Sequence, residues 1–476
     1  MRHALAGLAL LLVTATAHAD EPGISGSEIV SGEEPKLQVS GLIAGERIRI
    51  HAVRMFTNWE DDGTGTWRPV PKPLHAWADY LVDAAGSVEL WAASPLAGTF
   101  SGADGYGLLW SGRPTSGPSP DPFLPEHFDV GELKDGEGFF LVTRNGEIVS
   151  RAPIRMRQPD GLRTEYVADG RLNGAYSAPA DGARHPTLIL LHGSEGGSRR
   201  SGMEIARRFA GQGFATFAFN YFAWDLADLE GVPNAHVNQP IEMLTTVRDW
   251  IAAQPEADVE RLGVYGHSKG AEYAEVSAVH LPWIDAVAAC VPTDVVWQGY
   301  GIGDGRNRSN PYGEPPETYS SFSWQGRALP YVPLEGDWRN HHSNTDFYEA
   351  NRAKLTELEK ADAAIPVEIA SARFLWLGGG RDEVWASGDM ARRLDRRMRE
   401  AGEGERSELH IYDRAGHGIC GDGTYPTRLW SADSTNPRDP DLDATGRATI
   451  DAWNRIVEFF ARTLRSPVSA SKEGVR

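Results

Sequence analysis

Leu262-Gly-Val-Tyr-Gly-His-Ser-Lys-Gly-Ala-Glu272 is the stretch on which the fold turns. Leu262 to Tyr265 reads as a short strand, and Ser268 to His280 reads as a helix. Between them stands Gly266-His267-Ser268-Lys269-Gly270, a G-x-S-x-G pattern. Such a pattern carries chemistry only at a strand-to-helix turn. There the glycines permit a tight, strained elbow that pushes the serine hydroxyl out of the backbone. The helix N-terminus behind it stabilises negative charge as it develops. Ser268 is therefore the candidate nucleophile, and the backbone N–H of Lys269 a candidate oxyanion donor.

The flanking sequence alternates apolar strands with helices. Thr187 to Leu191 and Phe214 to Phe219 are almost wholly apolar, with a helix expected from Ser201 to Gly211 between them. Residues 239–253 place Ile241, Leu244, Val247 and Ile251 on one helical face. Strands follow at Ile284 to Val291, Phe374 to Leu377 and Glu408 to Tyr412, and helices are expected over 386–401 and 446–465. This alternation predicts a mostly parallel sheet with helices on both faces. With the elbow at its third strand, the fold class is α/β, an α/β-hydrolase fold over 159–470. Residues 297–350 break the pattern. They are rich in Trp, Tyr, Gly, Asn and Pro, and a loop of that length is read as a lid or substrate wall.

A serine is a weak nucleophile until an oriented base takes its proton. The chain order Ser…Asp…His of such hydrolases is present. Asp382, in Gly379-Gly-Arg-Asp382, follows one apolar strand. His417, in Ala415-Gly-His-Gly418, follows the next. Glu383 is the competing acid, one residue off the usual spacing. His192-Gly-Ser-Glu-Gly-Gly197 ends the first apolar strand. That is the place of a second oxyanion donor, assigned to the N–H of Ser194 or Glu195. A phosphate-loop reading fails for want of the G-K-[ST] lysine.

Residues 36–158 have a different grammar. Short alternating strands (Lys36 to Ser40, Arg47 to Val53, Gly86 to Trp91, Gly107 to Trp110, Gly138 to Thr143, Glu147 to Ser150) are separated by turn signals. They point to an immunoglobulin-like β-sandwich over 20–158. Ahead of it, Met1-Arg-His3, the apolar run Ala4 to Val13 and Ala17-His-Ala19 form a secretory signal pattern over 1–19. The expectation is a periplasmic or secreted product without a stable membrane anchor.

The chain has 476 residues and a net charge of −19, from 47 Lys+Arg against 66 Asp+Glu. That charge argues against nucleic acid as a partner. The 2 cysteines are too few for a disulfide scaffold or a Cys-rich zinc site. Cys290 and Cys420 should both lie at the carboxyl edge of the sheet. Oxidation in an exported protein would brace the histidine loop with a disulfide. Two intervening strands would hold the pair roughly 10 Å apart, so bonding requires the loops to converge. Buried free thiols are the alternative.

These residues resemble a family. Gly266 to Glu272, Pro333-Leu-Glu-Gly336, Ile365-Pro-Val-Glu368, Gly379 to Trp385, Gly416-His417 and Asp451-Ala-Trp453 are similar to the acyl-CoA thioesterase and bile acid-CoA:amino acid N-acyltransferase family of α/β-hydrolases. Gly107 to Ser111 and Arg171 to Ala175 look like its N-terminal region. The resemblance implies an acyl-enzyme on Ser268, proton transfer by His417 and orientation of His417 by Asp382. Two departures matter. Family members that transfer acyl groups to amino acids use Cys as nucleophile, so Ser268 implies hydrolysis. The family's familiar substrates are intracellular CoA thioesters, which an exported protein does not routinely meet.

The expected activity is hydrolysis of a small-molecule carboxylic ester or acyl thioester, with no cofactor or metal required. A peptidase or amidase on the same scaffold, an acyltransferase to an amine acceptor, and a binding module without catalysis are the alternatives. Weaker signals are set aside. Asp439, Asp441 and Asp443 lack the glycine of a calcium loop. His341-His342 suit no zinc pattern. Asn307-Arg-Ser309 is a sequon, the arginines of 392–399 read as a solvated face, and Arg199 and Arg200 lie near the oxyanion loop.

Overall fold

A computed structural model describes residues 22–61, 67–115, 133–170, 172–224, 229–301, 319–337, 340–427 and 441–465. The expected signal over 1–19, Arg171, the sequon and Asp439 lie outside the described residues.

Eight strands form one sheet: β1 (Leu162–Ala168), β2 (Asn173–Pro179), β3 (His185–Leu191), β4 (Ala215–Phe219), β5 (Ala257–His267), β6 (Ala286–Cys290), β7 (Arg373–Gly379) and β8 (Ser407–Tyr412). Their spatial order is β1-β2-β4-β3-β5-β6-β7-β8. The pairings β1–β2 and β2–β4 are antiparallel. From β4 to β8 every pairing is parallel. All residues of β4 and β6 are buried, which explains their unbroken apolar runs: helices cover both faces.

One face carries α1 (Arg199–Ala210) and the last long helix, Leu442–Arg465. Ala206, Phe209, Ile456, Phe459 and Phe460 share a core with Leu188 and Leu190 there. The other carries α2 (Met243–Ala252) and α3 (Lys269–His280), whose Leu244, Val247, Ala271 and Ala274 pack against Ile189 and Val264. Each fully buried Leu, Ile, Val or Phe side chain among these contributes roughly 1.5–3 kcal/mol. Because β3 lies between β4 and β5, the chain reverses direction there. The crevice that this opens lies at the carboxyl ends of β3 and β5.

The N-terminal region forms its own core. Arg47–Asp61 and Trp67–Leu81 pair antiparallel along their whole length in a six-stranded sheet. Ile48, Ile50, Ala76 and Tyr80 from that sheet share a cluster with Val39 and Val88 of a three-stranded one.

Three expectations change. Gly107–Trp110 is a short helix, not a strand. Leu108, Leu109 and Trp110 are all buried, so the run has no exposed face to alternate with. Trp110 Nε1 donates to Asp104 Oδ2 at 2.9 Å. The strand expected from Leu262 begins at Ala257, because partly exposed residues at its start blur the apolar signal. Within 297–350 the described part is packed rather than irregular. Phe322–Trp324 pairs with Gln239–Pro240 and Arg327–Ala328, and α4 (Asn344–Ala353) is capped by Ser343. Residues 302–318 lie outside the described residues.

Candidate active site

The elbow follows from its glycines. A Cβ on Gly266 would stand 2.0 Å from the Gly270 carbonyl oxygen, and one on Gly270 would stand 2.3 Å from that of Leu191. No larger residue fits either place. Ser268, between them, has φ 53°. A non-glycine residue takes that conformation only when its surroundings impose it. Its N–H donates to the Cys290 carbonyl at 3.0 Å, which pins the elbow to β6. Ser268 also stands at the N-cap position of α3, where its side chain makes no capping bond.

The loops after β7 and β8 bring the other two sequence-derived residues to it. His417 Nε2 lies 3.1 Å from Ser268 Oγ. His417 Nδ1 lies 2.8 Å from Asp382 Oδ2. It is thus the Asp382 carboxylate that meets the imidazole. Asp382 accepts further bonds from the N–H groups of Val384 and Trp385 and from Ser387 Oγ, at 2.9, 3.2 and 2.5 Å. The Trp385 ring stands edge-on to His417, centroids 5.9 Å apart. With its second nitrogen committed to Asp382, the imidazole turns the first toward the serine.

The loop after β3 is braced from several sides. Tyr221 Oη donates to the His192 carbonyl at 2.7 Å and Trp224 Nε1 to the Ser194 carbonyl at 3.0 Å. Glu195 Oε1 accepts the Gly193 N–H at 2.9 Å and pairs with His267 Nε2 at 3.0 Å. This carboxylate therefore ties the loop bearing Ser194 to the residue preceding Ser268. The pairing with His267 holds the Glu195 carboxyl low, at about 2, although its side chain is more than half exposed. It raises His267 although burial alone would lower it. His192, stacked 4.1 Å from the Tyr221 ring, is pushed down to about 4 by burial and is neutral at pH 7.

Beneath Ser268, Lys269 Nζ pairs with Glu272 Oε2 at 2.6 Å and donates to Ser321 Oγ at 2.8 Å, with both charged side chains buried. Glu272 Oε1 accepts the Trp297 N–H at 2.9 Å. The segment read as a lid is thereby joined to the first turn of α3. Cys290 and Cys420 form a disulfide with a Cα separation of 6.0 Å. Only β7 stands between the strands that lead to them, and the loop after His417 folds back across it.

Other expectations resolve differently. Arg199 and Arg200 are both exposed, one stacked over the Tyr166 ring and the other paired with Glu204, which fits a surface role as well as it fits contact with an anionic substrate. The arginines of α5 (Ser387–Glu400) are not simply a solvated face. Arg393 joins Arg352 on the Asp294 carboxylate, and both line a cavity of ≈ 350 Å³ that shares no lining residue with the Ser268 site. Ser387, His267, Glu272 and Ser321 were not found from sequence as parts of the site. His267 and Ser321 act through contacts that no local spacing announces, whereas Glu272 stands one helical turn from Lys269 and Ser387 five residues from Asp382.

A mostly parallel eight-stranded sheet with a serine at a strand–helix elbow defines an α/β-hydrolase. Residues 241–466 match the BAAT / acyl-CoA thioester hydrolase C-terminal family model, and residues 32–128 match the acyl-CoA thioester hydrolase/BAAT N-terminal region. Mitochondrial acyl-coenzyme A thioesterase 2 of Mus musculus is 28% identical over 414 residues, 83% of this chain and 81% of the relative. Acyl-coenzyme A thioesterase 1 of Rattus norvegicus is 26% identical over 411 residues, 82% of this chain and 87% of the relative. A putative dienelactone hydrolase from Klebsiella pneumoniae superposes with TM-score 0.38 at 15% identity, covering 64% of this chain and 100% of that one. Both regions of one family are matched in order, and the chain is a hydrolase that resembles the acyl-CoA thioesterase and bile acid-CoA:amino acid N-acyltransferase family.

Proposed function

We propose that the chain is an exported serine hydrolase that cleaves acyl thioesters or carboxylic esters through an acyl-enzyme on Ser268. The observation that carries this reading is the hydrogen-bonded series Ser268 Oγ, His417 Nε2, His417 Nδ1, Asp382 Oδ2. As Ser268 Oγ attacks the carbonyl carbon, His417 Nε2 takes its proton and Asp382 stabilises the imidazolium. The N–H groups of Lys269 and Ser194 receive the developing oxyanion. Collapse expels the thiol or alcohol, protonated by His417. Water, activated by the same nitrogen, then releases the acid. The names of the relatives favour a thioester, and a serine rather than a cysteine nucleophile favours water as acceptor. The A-x-A pattern at Ala17-His-Ala19 supports export, and a disulfide fits an oxidising compartment.

A panel crossing acyl length with oxygen and sulfur leaving groups, with peptide anilides beside it, tests the reaction class. Thioester and ester turnover above anilide turnover is expected. Anilide hydrolysis as the dominant activity would replace this reading with a peptidase. N-terminal sequencing of the exported product should begin at Asp20.

A further inference from the structure

We infer that the Cys290–Cys420 disulfide is a positioning device for His417, so that activity depends on the redox state of this bond. The inference rests on the proposed roles of Ser268 and His417. Cys290 is the last residue of β6, and its carbonyl accepts the N–H of Ser268. Cys420 lies three residues beyond His417. The bond therefore joins the backbone that holds the nucleophile to the backbone that carries its base, by a covalent path that bypasses β7. No other covalent tie shorter than 149 residues of chain links Ser268 and His417.

The surroundings concentrate strain at the same place. Val291, next to Cys290, has φ 48°, an unusual conformation for a β-branched residue. Its N–H donates to the Leu377 carbonyl at 2.8 Å, and its own carbonyl accepts Trp385 Nε1 at 3.1 Å. Trp385 is the ring that stands against His417. The backbone beside the disulfide thus also places the residue that walls the imidazole. The loop around His417 is also held by Gly416 N–H to Thr445 Oγ1 at 3.0 Å, Thr449 Oγ1 to the Gly418 carbonyl at 3.1 Å, Arg381 N–H to the Ala415 carbonyl at 3.0 Å and the burial of Ile419, but none of these ties it to the backbone that carries Ser268. Catalytic hydrogen bonds tolerate little displacement, and a shift of about 1 Å costs up to 10²-fold in rate.

Cys290 is fully buried and Cys420 half-buried, so one end of the bond is approachable. A dithiol reductant would attack it and close to its own cyclic disulfide. Two electrons and two protons pass to the protein, leaving thiols on Cys290 and Cys420.

The test compares oxidised and dithiothreitol-reduced protein, with thiols counted after denaturation and folding followed by circular dichroism. Reduction should lower kcat at least tenfold, change KM less than twofold, and reverse on reoxidation with oxidised glutathione. Cys420→Ala should stay folded, turn over at the reduced rate and ignore dithiothreitol. Folded, fully reduced protein working at the oxidised rate overturns the inference. So does loss of the fold in both reduced protein and Cys420→Ala, which would make the bond purely structural. Absence of turnover and of fluorophosphonate labelling in the oxidised protein would instead remove the serine-hydrolase reading.

Discussion

At the scale of single residues, the site is built from groups that each have one place to go. Ser268→Ala removes the hydroxyl proposed as nucleophile and leaves the elbow glycines intact. We expect kcat to fall by roughly 10⁴-fold or more, with unchanged circular dichroism and no fluorophosphonate label. Asp382→Asn should cost about 10⁴-fold in kcat, because the amide no longer selects the productive His417 tautomer. A KM effect alone would contradict that role. The Glu195–His267 pair gives a pH signature. His267 is raised in the folded state, so its contribution is complete below the unfolded value of about 6.5 and disappears as pH rises through the folded one. Glu195 is lowered to about 2, so its share is present above the unfolded value and disappears only near that pH. The melting temperature of His267→Gln should therefore fall below that of the parent most clearly near pH 6, and converge with it at alkaline pH. A constant difference from pH 6 to 9 would show that the pair does not titrate. The meeting of Ser268, His417 and Asp382 was legible because each stands near glycines just after an apolar strand. Ser387 and His267 were not: Ser387 reaches back five residues to Asp382 at a helix start, and His267 finds Glu195 on another loop, so neither leaves a periodic trace.

At the scale of elements, α3 is held by charge as well as by packing. Lys269 and Glu272 lie one turn apart, and both are buried. Lys269→Met would leave the Glu272 carboxylate buried beside the Trp297 N–H with its countercharge gone. Breaking a buried pair from one side costs about 3–5 kcal/mol. We expect a loss of that order in denaturant melts, and a smaller one when Glu272→Gln is added. Additive losses would mean that the two residues are not coupled. The core strands β3, β4 and β6 were readable because burial on both faces erases polar interruptions. Gly107–Trp110 was misread for the same reason. A short, wholly buried run looks alike as strand or helix, and only its tertiary partners, Asp104 and Phe100, decide. The packed pairing of Phe322–Trp324 was invisible, since three residues set no period.

At the scale of the molecule, the N-terminal region and the hydrolase sheet meet at the far end of the histidine loop. Asp422 Oδ2 accepts from Ser31 Oγ at 2.9 Å and pairs with Arg208 Nε at 3.1 Å. Arg54, on the long N-terminal hairpin, donates to the Thr424 carbonyl at 2.7 Å. The Arg208 pairing outweighs burial and keeps the Asp422 carboxyl below its usual value. Asp422→Ala should lower the stability of the whole chain by about 3 kcal/mol and lower kcat with it. Unchanged turnover in a destabilised protein would separate the junction from catalysis. The division into two regions was legible in the shift from period-two alternation to apolar runs with helices. Their junction was not, because it is made by residues hundreds of positions apart.

That separation has a consequence for how the protein comes into being. Ser31 and Asp422 stand 391 positions apart. At roughly 5–20 residues per second, the ribosome spends on the order of 20–80 s between them. Ser268 is made long before His417, and His417 before the helix whose Thr445 and Thr449 steady its loop. Until His417 is made, the growing chain carries Ser268 without the imidazole that its hydroxyl meets in the folded protein. The contacts that steady the histidine loop can therefore close only after Leu442–Arg465 has been made.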